Sequence, residues 1–266
     1  MKPVKVHCMT NPVTMQDVAN ILLTVGASPI MAQDPKEAAE ITRHTDALLL
    51  NTGVPSDEKW TAWENAGRAA AECGHPIVLD PVGAGASGYR RSGLSRLLRA
   101  VRPQLIRCNQ AEACALLEIR KRGDLAWNGG PGTEHTSGSF RADRGTEAMD
   151  GVDSELDLSR EQSRMLASEL AQIFGCAVLV SGTEDIVSDG TEVLFIGGGD
   201  ARVRRITGGG CMLSALCAWR LGAGDEPFAA ATSAGRLWRT AAETAGKKRT
   251  AVAEGAGPFM SACSMP

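Results

Sequence analysis

Apolar positions along the chain fall into two kinds of run that alternate. Short blocks, V-K-V-H-C-M near the start, A-L-L-L-N at 47–51, H-P-I-V-L-D at 75–80 and Q-L-I-R-C at 104–108, have the length and bounding residues of strands. Between them apolar side chains recur at helical spacing, which predicts helices near 14–25, 57–72, 90–100 and 110–118. Alternation of this kind builds a mostly parallel sheet with helices on both faces. Helix starts are signalled by Asp34 before Pro35, by Ser56 before Asp57 and Glu58, and by Ser159 before Glu161, while Gly74 signals a stop. After a helix predicted near 160–173, the runs C-A-V-L-V-S, D-I-V-S and E-V-L-F-I follow closely, with turn residues Gly182 and Asp189-Gly190 between them. Antiparallel strands are expected at that edge of the sheet. Helical stretches at 211–221 and about 226–245 and a glycine-rich tail close the chain.

One segment breaks the pattern. Asn128 to Gly151 is polar, glycine-rich and aperiodic, and far longer than the usual connection of about 4–6 residues. It is expected to be a flexible surface insertion in a single α/β domain spanning 1–266. The charge pattern narrows the partners: 28 basic and 31 acidic side chains are interspersed, and a net charge of −3 leaves no basic stripe for nucleic acid or an acidic membrane. Eight cysteines lie without a C-x-x-C pair or a His placed to complete a zinc site, and read as reduced thiols. The opening residues lack the apolar stretch of a signal peptide and no run is long enough to span a bilayer, so a cytoplasmic protein is expected.

Candidate chemistry sits where predicted strands end. Gly83 to Gly88 matches G-x-G-x-x-G, but Pro81 intervenes before the glycines and the next strand ends in Arg107-Cys108-Asn109 rather than in an acidic residue, so a dinucleotide site is disfavoured. No G-x-x-x-x-G-K-[ST] occurs. Asp80 ends a predicted parallel strand and could hold Mg²⁺, or could cap a turn. Within Asn109-x-x-Glu112, Glu112 could offer a second carboxylate, or the pair could form the box that starts a helix. In T-G-G-G-C, residues 207–211, the glycines free the backbone to approach a ligand, and Cys211 falls in the first turn of a helix whose dipole favours a thiolate and an anion. A glycine turn before a buried helix, with Cys211 as a small core residue, accounts for the same letters.

Taken together, D-P-V-G-A-G-A, I-R-C-N-Q-A-E, V-S-G-T-E-D and T-G-G-G-C, in this order, resemble the ribokinase-like superfamily. With H-C-M-T-N-P-V-T, A-N-I-L-L-T-V-G-A-S-P-I-M-A and L-L-L-N-T-G-V, nearly the whole chain outside 120–158 and the tail is similar to the hydroxyethylthiazole kinase family of thiamine salvage. The resemblance implies a ribokinase-like fold and phosphorylation of a thiazole alcohol by Mg-ATP. It implies that Asn11, Val13, Met31 and Gly53 line the thiazole pocket, with Gly208 near the substrate hydroxyl. Arg107 and Ser181 would contact the nucleotide, Asp80 and Glu112 would organise Mg²⁺, and Cys211 would be the general base where most of the superfamily has Asp. It further implies a homo-oligomer, a trimer with sites between subunits. The chain departs from the family pattern in having six residues before His7, in Cys108 where Gly is usual, and in Gly209 where Ala or Thr is commoner. A kinase of another small alcohol, such as hydroxymethylpyrimidine or a sugar, and a non-catalytic thiazole-binding protein are the competing readings.

Overall fold

A computed structural model describes residues 2–121, 156 and 158–249. Its elements in chain order are β1 (Lys5–Met9), α1 (Met15–Thr24), β2 (Ser28–Ile30), α2 (Ala38–Arg43), β3 (Ala47–Asn51), α3 (Asp57–Cys73), β4 (Ile77–Asp80), α4 (Gly88–Ala100), β5 (Leu105–Asn109) and α5 (Gln110–Lys121). They continue with α6 (Arg160–Phe174), β6 (Ala177–Ser181), β7 (Asp185–Ser188), β8 (Val193–Ile196), a short 3-10 helix (Ala201–Arg205), α7 (Gly209–Gly222) and α8 (Pro227–Arg249). The eight strands among the described residues form one sheet in the order β2-β1-β3-β4-β5-β6-β7-β8. Pairing is parallel from β2 to β6 and antiparallel from β6 through β7 to β8. The mostly parallel sheet with antiparallel edge strands is therefore the one the hydrophobic pattern predicted. The segment 128–151 lies outside the described residues.

Two apolar cores cover the two faces. On one, Trp60, Trp63, Leu94, Leu116, Leu166 and their neighbours from α2 to α6 pack on Leu48, Leu50, Ile77, Leu79 and Ile106. On the other, α1, α7 and α8 pack on Leu49, Val78, Leu105 and Leu179. Because successive strand residues point to opposite faces, Asn51, Asp80, Arg107 and Ser181, each two positions after one of these last four, share the α7 face at or near the carboxyl ends of four adjacent strands; Asn51, Asp80 and Ser181 end their strands and Arg107 lies two residues before the end of β5. That end of an open α/β sheet is where ligands gather.

The caps behave largely as read. Ser56 accepts from the Lys59 N–H, Ser159 and Gln162 form a complete capping box, and Gly74 takes the left-handed conformation that ends α3. Asp34 does not start a helix. Its side chain accepts from the Lys36 N–H in a turn, and α2 begins only at Ala38. Strand β2, three residues around Pro29, and the 3-10 helix went unpredicted because neither is long enough to show a period.

Candidate active site

Cys211 lies in the first turn of α7, whose N-cap Gly208 has φ +82°. Each glycine of the turn meets a different neighbour. A Cβ on Gly208 would lie 2.6 Å from Thr14 Cγ2, and one on Gly210 would lie 2.1 Å from Arg107 Nη1. One on Gly209 would meet nothing closer than 3.4 Å, an ordinary contact. The guanidinium of Arg107 is thus seated directly against the start of α7.

Around the thiol runs a continuous polar network. Asn51 Nδ2 donates to Cys211 Sγ at 3.2 Å and to Asp80 Oδ2 at 2.8 Å. Asn11 Nδ2 donates to Asn51 Oδ1 at 3.0 Å and approaches Cys211 Sγ at 3.7 Å, while its own Oδ1 accepts from the Val13 N–H. The Gly53 N–H also donates to Asn51 Oδ1, at 3.0 Å. Ser214 Oγ lies 2.9 Å from Asp80 Oδ2, and Arg107 Nη1 lies 3.7 Å from Asp80 Oδ1. Arg107 Nη2 donates to Ser181 Oγ. The loop after Ser181 is held by Arg239, which donates to the carbonyls of Gly182 and Thr183 and to both oxygens of Asp185.

Electrostatics follow from burial. Asp80 is fully buried, which raises its carboxyl above the usual range against the pull of Arg107. Glu112 is pushed up to about 7 by burial and by the Asp80 charge. Burial and the same charge push the Cys211 thiol up to about 11, although Thr14, Arg107 and Asn51 pull it down. The thiolate expected from the helix terminus alone is therefore not the resting form.

Glu112 realises the capping alternative in full. Its Oε2 accepts from the Asn109 N–H, its own N–H donates to Asn109 Oδ1, and its Oε1 accepts from the Gly83 N–H. The cap takes one lone pair of Oε2 and the Gly83 N–H one of Oε1, and a carboxylate has about four acceptor sites, so a cap and a metal-organising role are compatible. Asp80 Oδ1 is buried without a hydrogen-bond partner. No group of three or more His, Cys, Asp or Glu that could hold a metal by itself exists among the described residues. One or two carboxylates together with phosphates are the donor set of Mg²⁺, and the orphaned oxygen of Asp80, with Glu112 near enough to feel its charge, fits that ion.

Of the residues singled out from sequence, Asn11, Gly53, Asp80, Arg107, Ser181, Gly208 and Cys211 come together around the start of α7. Val13 is 63 % exposed, and Met31 is half-buried at the edge of the α7-side core. Sequence reasoning passed over Asn51, Thr14 and Ser214. The alternation along A-L-L-L-N, which puts Asn51 beside Asp80 once β3 and β4 pair, is the signal that could have found the first.

The sequence profile of the hydroxyethylthiazole kinase family matches residues 1–124 and 141–263. The hydroxyethylthiazole kinase of Listeria monocytogenes is 38% identical over 240 residues, 90% of this chain and 79% of that one. That of Lysinibacillus sphaericus is 35% identical over 240 residues, 90% and 83% of the two chains. A solved hydroxyethylthiazole kinase from Pyrococcus horikoshii superposes with a TM-score of 0.79 at 30% identity, covering 98% of this chain and 86% of that one. An ADP complex of pyridoxal kinase from Bacillus subtilis shares the fold at 18% identity, with a TM-score of 0.59 and 90% and 92% of the two chains covered. The ribokinase-like fold expected from the motifs is thereby borne out. Among the described residues no helix is long and apolar enough to cross a membrane.

Proposed function

The chain belongs to the hydroxyethylthiazole kinase family and is a kinase, and on that premise we propose that it transfers the γ-phosphoryl group of ATP to the hydroxyl of 4-methyl-5-(2-hydroxyethyl)thiazole in thiamine salvage. The observation that carries this reading is the convergence of Cys211, Asp80 and Arg107 at the start of α7, joined through Asn51 to Asn11 and Gly53. Asn11, Val13, Met31 and Gly53 line the thiazole pocket in this proposal, and Gly208 lies near the substrate hydroxyl. Arg107 and Ser181 contact the nucleotide, the former as a fork for phosphate oxygens. Asp80 and Glu112 would hold Mg²⁺, whose chemistry when bound is to neutralise charge on the phosphates.

Phosphoryl transfer asks chiefly for alignment and charge neutralisation, so the backbone N–H groups at the start of α7 act as an anion hole. The alcohol proton leaves late, and Cys211 Sγ accepts it. Cytoplasmic location and a homotrimer whose thiazole sites lie between subunits complete the proposal. A coupled assay of ADP release across thiazole, pyrimidine and sugar alcohols tests it. Hydroxyethylthiazole is expected to turn over fastest. Equal or faster turnover of hydroxymethylpyrimidine or ribose overturns the substrate, and binding of the thiazole alcohol without ADP release overturns catalysis.

A further inference from the structure

Asn51 is fully buried, and all four hydrogen-bonding positions of its amide are in use. One N–H points at the Asp80 carboxylate and the other at Cys211 Sγ, while the carbonyl receives Asn11 Nδ2 and the Gly53 N–H. This amide cannot turn over, since a flip would set its oxygen against a carboxylate and its N–H groups against two donors. It is the one side chain in the described network bonded at once to the carboxylate assigned to the metal, the sulfur assigned to the base and two residues assigned to the substrate pocket. Each of these arrives on a different element: Asn11 after β1, Asp80 at the end of β4, and Cys211 from α7, 160 residues further along the chain than Asn51.

From this geometry we infer that Asn51 is a positioning residue for phosphoryl transfer: its amide fixes the Cys211 sulfur against Asp80 and registers the alcohol-binding half of the site to the phosphate-binding half. The inference rests on the kinase reading above. A residue acting in this way contributes little to holding either substrate. Displacing a reacting group by about 1 Å costs on the order of 10²-fold in rate, so the loss belongs in kcat.

The test compares wild type, Asn51→Ala, Asn51→Asp, Cys211→Ala and the Asn51→Ala/Cys211→Ala double variant, with melting curves to show that each is folded. Asn51→Ala is expected to lower kcat by about 10²-fold and to leave KM for the thiazole alcohol and for ATP within about threefold. Asn51→Asp keeps the shape and the acceptor for Asn11 and Gly53 but loses both donated bonds. It is expected to be at least as slow, and it carries the comparison should Asn51→Ala not fold. In the Cys211→Ala background the sulfur to be positioned is gone and only the registration of the two halves is left to lose, so removing Asn51 should cost a clearly smaller factor than it does in wild type, a non-additive pair. A merely structural asparagine predicts full additivity and a loss that follows the melting temperature. Either that result, or an Asn51→Asp enzyme within threefold of wild-type kcat, overturns the inference while leaving the kinase reading intact. A wild type inactive on every thiazole alcohol overturns both.

Discussion

At Cys211 two physical effects oppose each other, and their magnitudes decide the outcome. A helix terminus is worth about 0.3–1 kcal/mol to a charge in its first turn, less than one pKa unit, whereas burial shifts ionisable groups by up to several units. Burial and Asp80 prevail, and the thiol rises to about 11. If the thiolate is the base, its population grows about tenfold per pH unit below that value, so wild-type kcat should climb across roughly pH 6–9. Cys211→Asp keeps Asn51, Asn11 and Thr14 as donors and is ionised at neutral pH, which flattens the profile. Cys211→Ala should lose about 10²–10⁴-fold. Measured pH–rate profiles in which Cys211→Ala stays near wild type would make the thiol an inert core residue. Glu112 offers a second test through stability. Its carboxyl is raised to about 7 in the folded protein. The contribution is therefore fully present below the ordinary Glu value of about 4.3 and is lost as the pH rises through about 7. In metal-free protein the melting temperature should fall across that window, and Glu112→Gln should flatten the fall while keeping the cap; an unchanged slope would refute the assignment. Asp80 was legible in the sequence by itself because a carboxylate that ends a parallel strand stands out. Glu112 and Cys211, in the first turns of helices, read equally well as a cap and a core thiol and, like Arg107, came forward only with the motifs taken together. Asn51 was not legible, because its meaning lies in partners 29 and 160 residues away that only the pairing of β3 with β4 and the packing of α7 bring to it.

The turn that opens α7 shows the same division at the level of an element. Three consecutive glycines read alike in the sequence, yet the fold requires them for different reasons, and one of them for none. Gly208 combines a left-handed backbone with the press of Thr14, and Gly210 lies under the Arg107 guanidinium. Gly209 is helical with ordinary room for a methyl group. Gly209→Ala should therefore stabilise the protein by about 0.4–1 kcal/mol, chiefly by restricting the unfolded chain. Gly208→Ala should lower the melting temperature, since a left-handed backbone costs an L-residue about 1–2 kcal/mol before any clash with Thr14. Gly210→Ala should push Arg107 aside and raise KM for ATP more than KM for the alcohol. Thermal melts and two-substrate kinetics on the three variants check the ranking, and a destabilised Gly209→Ala protein would contradict it. Long elements with caps, such as α3 and α6, were readable because period and punctuation agreed. At α2 they did not. Asp34 and Pro35 supplied a start signal, but six helical residues are too few for a period to correct it.

At the scale of the molecule, the distribution of exposed apolar side chains bears on assembly. Val13 is 63 % exposed and Val54 is 50 % exposed, and they lie two residues after Asn11 and one residue after Gly53, both assigned to the thiazole pocket. Val54 also has φ +51°, which a β-branched residue rarely adopts and which costs on the order of 1–3 kcal/mol unless its surroundings impose it. Apolar exposure and backbone strain at the rim of the proposed substrate pocket, facing away from the chain's own core, suit a rim covered by another copy of the chain. Light scattering should then give about three times the 27.9 kDa of one chain. Charging the rim with Val13→Asp and Val54→Asp together should shift the protein towards monomer. Val13 belongs to the proposed thiazole pocket whereas the proposed nucleotide contacts, Arg107 and Ser181, bond to each other within the subunit, so the same double variant should weaken binding of the thiazole alcohol by a larger factor than binding of an ATP analogue. Titration of each ligand against wild type and variant separates the possibilities. A wild-type monomer that binds the alcohol with undiminished affinity after both substitutions would show that one chain forms the whole pocket, and the strain at Val54 would then need a cause within the subunit.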